Sequence, residues 1–219
     1  MISLTANAAI PDLGTILGGS HTETDTGAES FYLTDNDGGL DDATAFLYLE
    51  NAGYADYNSF GIYDISNGTS FEIFNGTESP LLSATLSWDT LTNSVSLVGQ
   101  AVSAIIDDTA FGFYIDAGPN QDRFFSESIL NPDGEDMLAT FDVGSAGYGD
   151  LLGANYILAW EDILAANGGD GDYNDMVIAV SDIGPNFDTT TTSVPEPGFP
   201  MLVGLGLIGI GLNRKLNTL

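Results

Sequence analysis

Short apolar runs recur along this chain, each bounded by Gly, Asn or Asp. The clearest are Thr44 to Glu50, Ser59 to Ile65, Ser70 to Phe74, Ala84 to Trp88, Ala110 to Ile115, Met137 to Val143, Ala154 to Trp160 and Met176 to Ser181. They are rich in aromatic and β-branched residues and recur at hairpin intervals. In Phe71-Glu72-Ile73-Phe74 and Leu82-Ser83-Ala84-Thr85-Leu86-Ser87-Trp88 apolar and polar residues alternate, as in strands with one face on a core and one in water. No long amphipathic helix interrupts the pattern. Eight or more such strands predict an all-β domain, a two-layer antiparallel β-sandwich of jelly-roll-like type. Asn67-Gly68 and Asn75-Gly76 each divide two runs, and Asn-Gly suits the positive φ angles of a tight hairpin. Both also begin Asn-Gly-Thr, formally a glycosylation acceptor, but the turn accounts for them without it.

The pattern fades at both ends. Residues 1–28 predict an N-terminal arm; its His21, the only histidine, reads as solvated. Ala6-Asn7-Ala8 has the small-x-small form of a signal-peptidase site, so the arm is either the remnant of a longer signal peptide or a plain disordered extension. The body is expected over 29–184 and a polar linker over 185–193. Val194-Pro195-Glu196-Pro197 follows, then an uncharged run to Leu212, then Asn213-Arg214-Lys215. A bilayer would take up the run, and Arg214 and Lys215 would hold its end at the cytoplasmic face, leaving the body outside. From Phe199 to Leu212 it has about fourteen residues, short of the roughly twenty that span a membrane. A short apolar helix in transient contact with the inner membrane is therefore expected there, weakened by Gly204, Gly206, Gly209 and Gly211.

Composition narrows the chemistry. With 32 Asp and Glu against 3 Lys and Arg, the formal net charge is −29. Such a surface repels phosphate backbones, which argues against nucleic-acid partners and for cations. The same charge also keeps a protein soluble without any site. The absence of cysteine removes disulfides, thiolate metal sites and cysteine nucleophiles. A hydrophobic content of 43% still allows 219 residues one full core.

The densest chemistry lies in Trp160-Glu161-Asp162 and Gly168-Gly169-Asp170-Gly171-Asp172-Tyr173-Asn174-Asp175, between two apolar strands. Asp170, Asp172 and Asn174 alternate, Asp175 adds a carboxylate, and the glycines let the backbone fold tightly. Hard oxygen donors suit calcium, while zinc, copper and iron favour the nitrogen and sulfur ligands missing nearby. The spacing is not that of an EF-hand loop, and an acidic turn capping its own backbone is the competing reading. Asp35-Asn36-Asp37-Gly38-Gly39-Leu40-Asp41-Asp42 is a second acidic stretch, read as a solvated loop, with calcium binding as the competing reading.

Two resemblances sharpen this picture. Val194 to about Lys215 resembles the PEP-CTERM sorting signal of Gram-negative bacteria that make exopolysaccharide; the other reading is an ordinary membrane anchor. The resemblance implies that Val194, Pro195, Glu196 and Pro197, with Arg214 and Lys215, are read by an exosortase-type membrane protease. The protein would then be secreted or held at the cell surface. Ala159-Trp160-Glu161-Asp162 with Gly169 to Val177 resembles the signature of the DUF4114 family of bacterial extracellular domains. Asn51-Ala52-Gly53-Tyr54 with Asn58 to Asp64, and Phe111-Gly112-Phe113-Tyr114-Ile115, agree with it, so the likeness spans roughly 31 to 183. It implies a secreted adhesin-like or matrix module with calcium dependence, carrying over Glu161, Asp162, Asp170, Asp172, Asn174 and Asp175 as candidate ligands. The functional expectation is a non-catalytic, calcium-stabilised surface or biofilm-matrix protein, with exopolysaccharide or another cell-surface glycan as partner. Tyr54, Tyr57 and Tyr148 are candidates to stack on sugar rings. The alternative is a secreted glycoside hydrolase using paired carboxylates, although no Gly-x-Ser-x-Gly nucleophile motif is present.

Overall fold

The computed structural model describes residues 26–34, 41–50, 55–77, 81–120, 122–144 and 153–186, with the side chains of 46–50 and 55 excluded. All of these lie in a unit spanning Met1–Phe187; Asp188–Leu219 is a second unit outside the described residues. The sorting motif, its apolar run, most of the N-terminal arm, 35–40, Tyr54 and Tyr148 also lie outside them.

Thirteen strands form in chain order among the described residues: β1 Phe31–Leu33, β2 Asp41–Glu50, β3 Ser59–Asp64, β4 Ser70–Phe74, β5 Leu82–Asp89, β6 Ser94–Leu97, β7 Ser103–Ile105, β8 Phe111–Ala117, β9 Asp122–Phe125, β10 Leu138–Asp142, β11 Tyr156–Trp160, β12 Met176–Val180 and β13 Ile183–Pro185. Every run expected from periodicity becomes one of these. The additional strands, β1, β6, β7, β9 and β13, have three or four residues, too few to display a two-residue period. One sheet is ordered β13-β1-β8-β3-β4, with β9 also on β8; the other is β10-β11-β12-β2-β5-β6-β7. All pairings are antiparallel. The result is the expected all-β architecture of two antiparallel sheets.

The inward faces meet in one aromatic core. Phe60 stacks on Phe113 with ring centroids 5.4 Å apart, Phe31 meets Phe113 edge-on at 5.1 Å, and Trp160 stands edge-on to Phe60 at 6.5 Å. Each such pair contributes about 0.5–1.5 kcal/mol beyond area burial. On the opposite face of the first sheet, tyrosine rings lie over glycines of the neighbouring strand. A Cβ on Gly112 would lie 2.4 Å from the Tyr63 ring, and one on Gly61 would lie 2.6 Å from that of Tyr114. Glycine is required at both places by close approach. Arg123 covers the outer side of Tyr114 at 3.8 Å while pairing with Asp116 through Nε and Nη2 at 2.6 and 2.7 Å.

The chain enters and leaves the body side by side. Ser30 accepts a backbone bond from Asn186 and returns its hydroxyl to the Asn186 carbonyl. Earlier, Thr26 donates its N–H to the carbonyl of Thr140 on β10.

Candidate metal centre

β11 and β12 are paired up to Trp160 and Met176, and the fifteen-residue connection between them builds an acidic corner at that end. Its backbone is shaped by a short 3-10 turn, Ala165–Asn167, closed by Gly168 at φ +106. Gly169 packs so tightly that a Cβ there would lie 2.2 Å from the Ile163 carbonyl oxygen. Glu135 fixes the turn from outside by accepting the Ala165 N–H at 2.7 Å. Tyr173 adopts φ +53, packs its ring against the far face of β10–β12, and donates its hydroxyl to the Asp136 carbonyl.

This path brings three of the six candidate ligands together. One oxygen each of Glu161, Asp170 and Asp172 lies within 4.8 Å of the others. Oxygens bound to one calcium at about 2.3–2.6 Å can be at most about 5.2 Å apart, so the trio fits such an ion. Glu161 is buried, whereas Asp170 and Asp172 are exposed, which gives the group a closed floor and an open rim. Asn174 belongs to the support: its N–H goes to Asp172 Oδ1 at 3.1 Å and its amide nitrogen bonds Asp172 Oδ2. Asp162 and Asp175 form a separate pair deeper in the corner. Asp175 Oδ2 accepts the Asp162 N–H at 3.0 Å.

Asn58, from the segment before β3, ties that pair to the other sheet. Its amide donates to Asp162 Oδ2 at 2.9 Å, and its carbonyl accepts the N–H of Gly118 just past β8 at 2.9 Å. Asn58 is separated from Asp162 by 104 positions, so no local spacing could reveal the contact. A cavity of about 410 Å³ opens beside it, lined among others by Asn120, Asp122, Phe124, Asp162 and Asn167.

The electrostatics are those of a site crowded with one charge. Burial raises the Glu161 carboxyl above its usual range, offset in part by the Tyr173 N–H at 2.6 Å and reinforced by Asp170 and Asp172. Asp172 is raised by burial and then by Asp170. Asp175 is pushed up to about 7, first by burial and then by the charges of Asp162 and Glu161. Arg123 is the one cationic side chain among the described residues, and it is committed to Asp116. The donors are oxygens only, which suits a hard cation.

A family model described as a domain of unknown function, DUF4114, matches residues 51–182 and so contains the whole corner. The chain belongs to the DUF4114 family. A second model, the PEP-CTERM protein-sorting motif, matches residues 193–215. This DUF4114 protein therefore carries the signal for export and for processing by an exosortase, a membrane protease, in a Gram-negative bacterium. No curated protein and no solved structure matches the chain. Among the described residues no helix is long and apolar enough to cross a membrane.

The other sequence-derived candidates fall elsewhere. Tyr57 is exposed on the short turn Ala55–Tyr57. Asp41 and Asp42 open β2, where Asp41 adds its charge to that of Asp107 beside Asp108. Asn67-Gly68 and Asn75-Gly76 lie in the connections after β3 and β4, with Gly68 at φ +74.

Proposed function

We propose that this DUF4114 domain is a non-catalytic component of the cell surface or extracellular matrix whose acidic corner is set by a bound calcium ion. Glu161, Asp170 and Asp172 hold the ion, Asn174 orients Asp172, and Asp162 with Asp175 supply negative charge behind it. The observation that carries the reading is the convergence of three carboxylate oxygens within 4.8 Å, with no cationic side chain of the described residues to neutralise them. In this reading the body spans 29–184, the linker 185–193 and the sorting signal 194–219. The run 199–212 contacts the membrane only until the exosortase acts. Exopolysaccharide or another cell-surface glycan is the partner, engaged by calcium bridging to anionic sugars.

The test is a thermal melt of the exported protein with calcium and with chelator. At 100 times the dissociation constant the native state gains about 2.7 kcal/mol, several degrees of shift. An unchanged melt would return the corner to a solvated turn.

Secreted polysaccharide cleavage is the second reading, favoured by Asp162 on the cavity wall and by the raised Asp175 beside it. The placement works against it. Glycoside cleavage needs two carboxyl groups facing the same bond, and of this pair only Asp162 lines the cavity, while Asp175 Oδ2 accepts the Asp162 N–H. Incubation with the producer's polysaccharide separates the readings: falling chain length supports cleavage, retention at constant length supports binding.

A further inference from the structure

The second sheet carries apolar residues on both faces over half its width. Besides the core between the sheets, Ala139, Phe141, Val143, Ile157, Ala159, Val177 and Ala179 form a second buried cluster on the outer side of β10, β11 and β12. Register sets them in rows: Ala139, Ala159 and Val177 nearest the acidic corner, then Phe141, Ile157 and Ala179. Ile157 and Ala159 are 0% exposed, and Phe141 is 5% exposed. Among the described residues, Tyr173 packs on this cluster from the corner and Ala154 from the opposite end. Both come from connections at the ends of the strands, and the middle row needs a further cover.

We propose that the outer face of β10–β12 is the docking surface for the N-terminal segment 10–17 of the same chain, through Ile10, Leu13, Ile16 and Leu17. The described chain begins at the edge of this face, where the Thr26 N–H bonds the Thr140 carbonyl at 2.8 Å and the Thr140 hydroxyl bonds the Ala28 carbonyl at 3.1 Å. Three strands of five residues make a face roughly 10 by 17 Å. The nine Cα–Cα steps from Leu17 to Thr26 span up to about 30 Å, ample to bring the segment back across it. Its apolar residues recur at three- and four-residue spacing. A signal-peptidase cut after Ala8 would leave 10–17 in the mature protein. The segment is then a working part of the domain, and through Tyr173 it braces the corner that holds Glu161.

The chain has no cysteine, so Ala179→Cys in the full-length protein places one thiol in the middle row. Its labelling by a thiol reagent is expected to be slow, and to accelerate by about tenfold or more when Leu13→Asp and Ile16→Asp are added. Fluorescence of Trp88 and Trp160, both buried between the sheets, reports separately whether the fold survives. If the combined variant unfolds, Ala179→Cys paired in turn with Leu13→Cys, Ile16→Cys or Leu17→Cys decides, a disulfide from at least one being expected. The proposal is overturned if arm substitutions leave labelling unchanged. It is also overturned if Leu151→Asp alone exposes the thiol, if protection depends on protein concentration, or if no pair cross-links.

Discussion

Two acidic turns of this domain use the same residues to opposite electrostatic ends. After β3, Asp64 accepts Ser66 N–H at 2.8 Å, Ser66 hydroxyl at 2.5 Å, Asn67 N–H at 3.1 Å and, on its other oxygen, Asp107 N–H at 3.0 Å. Burial alone would raise this carboxyl, but those donors hold it below its usual range. In the 161–175 corner Glu161, Asp172 and Asp175 each accept only one or two hydrogen bonds, against four at Asp64, and all three are raised. An Asp in a Gly- and Asn-rich connection is therefore not by itself a metal ligand. What matters is whether the backbone supplies enough N–H groups to satisfy the charge, and at the corner it does not.

The largest expected effect breaks the comparison on the Asp64 side. Asp64→Ala leaves several donors unsatisfied around a buried position and should cost about 3–4 kcal/mol, equally with calcium and with chelator. Urea midpoints in both conditions check it. A calcium-dependent loss would mean that the two turns are coupled.

At the corner, Glu161→Gln should abolish the calcium-induced shift of about 2.7 kcal/mol. The same substitution should stabilise the chelated protein by about 1 kcal/mol, since it removes one of three carboxylates whose oxygens lie within 4.8 Å of one another. Both signs come from one pair of melts. A stabilisation by calcium that survives Glu161→Gln would move the ion elsewhere.

The pH dependence separates the turns by sign. Asp64 has a depressed folded-state pKa, so its contribution is present above about 4 and is lost as pH falls through the folded value. Asp175 is raised, so its contribution is present below about 4 and is lost as pH rises toward about 7. Denaturant midpoints of the chelated protein should fall at both ends of this range. Asp64→Asn should flatten the acid limb and Asp175→Asn the neutral one, while calcium should restore the neutral limb without substitution.

The sequence showed these regions unequally, for physical reasons. Strands of five residues or more with a wet face, such as β4 and β5, declare themselves by period; β7 and β9 are too short to do so. The acidic corner was visible because Asp170, Asp172 and Asp175 are crowded within six positions. The division of labour was not. Asn58 reaches Asp162 from the segment before β3, 104 positions away, and Glu135 holds Ala165 from thirty positions away. The outer apolar face did leave a signal, since Tyr156-Ile157-Leu158-Ala159-Trp160 is apolar at every position, as in a strand buried on both sides.

The finest comparison uses one glycine from each turn. Gly68 and Gly171 have nearly equal φ, +74 and +71, and nothing lies within 4 Å of a Cβ added to either. Steric clash is thus absent at both, and Gly→Ala meets only the penalty of the left-handed conformation, about 1 kcal/mol. In chelator, Gly68→Ala and Gly171→Ala should destabilise alike. With calcium they should diverge, because Gly171 lies between Asp170 and Asp172, and relaxation of its φ would pull those carboxylates out of register with Glu161. Gly171→Ala should therefore weaken calcium affinity severalfold, measured by titration calorimetry, and Gly68→Ala should leave it unchanged. Equal affinities would mean that the corner tolerates backbone movement and that its carboxylates are not held at ligand spacing by the turn.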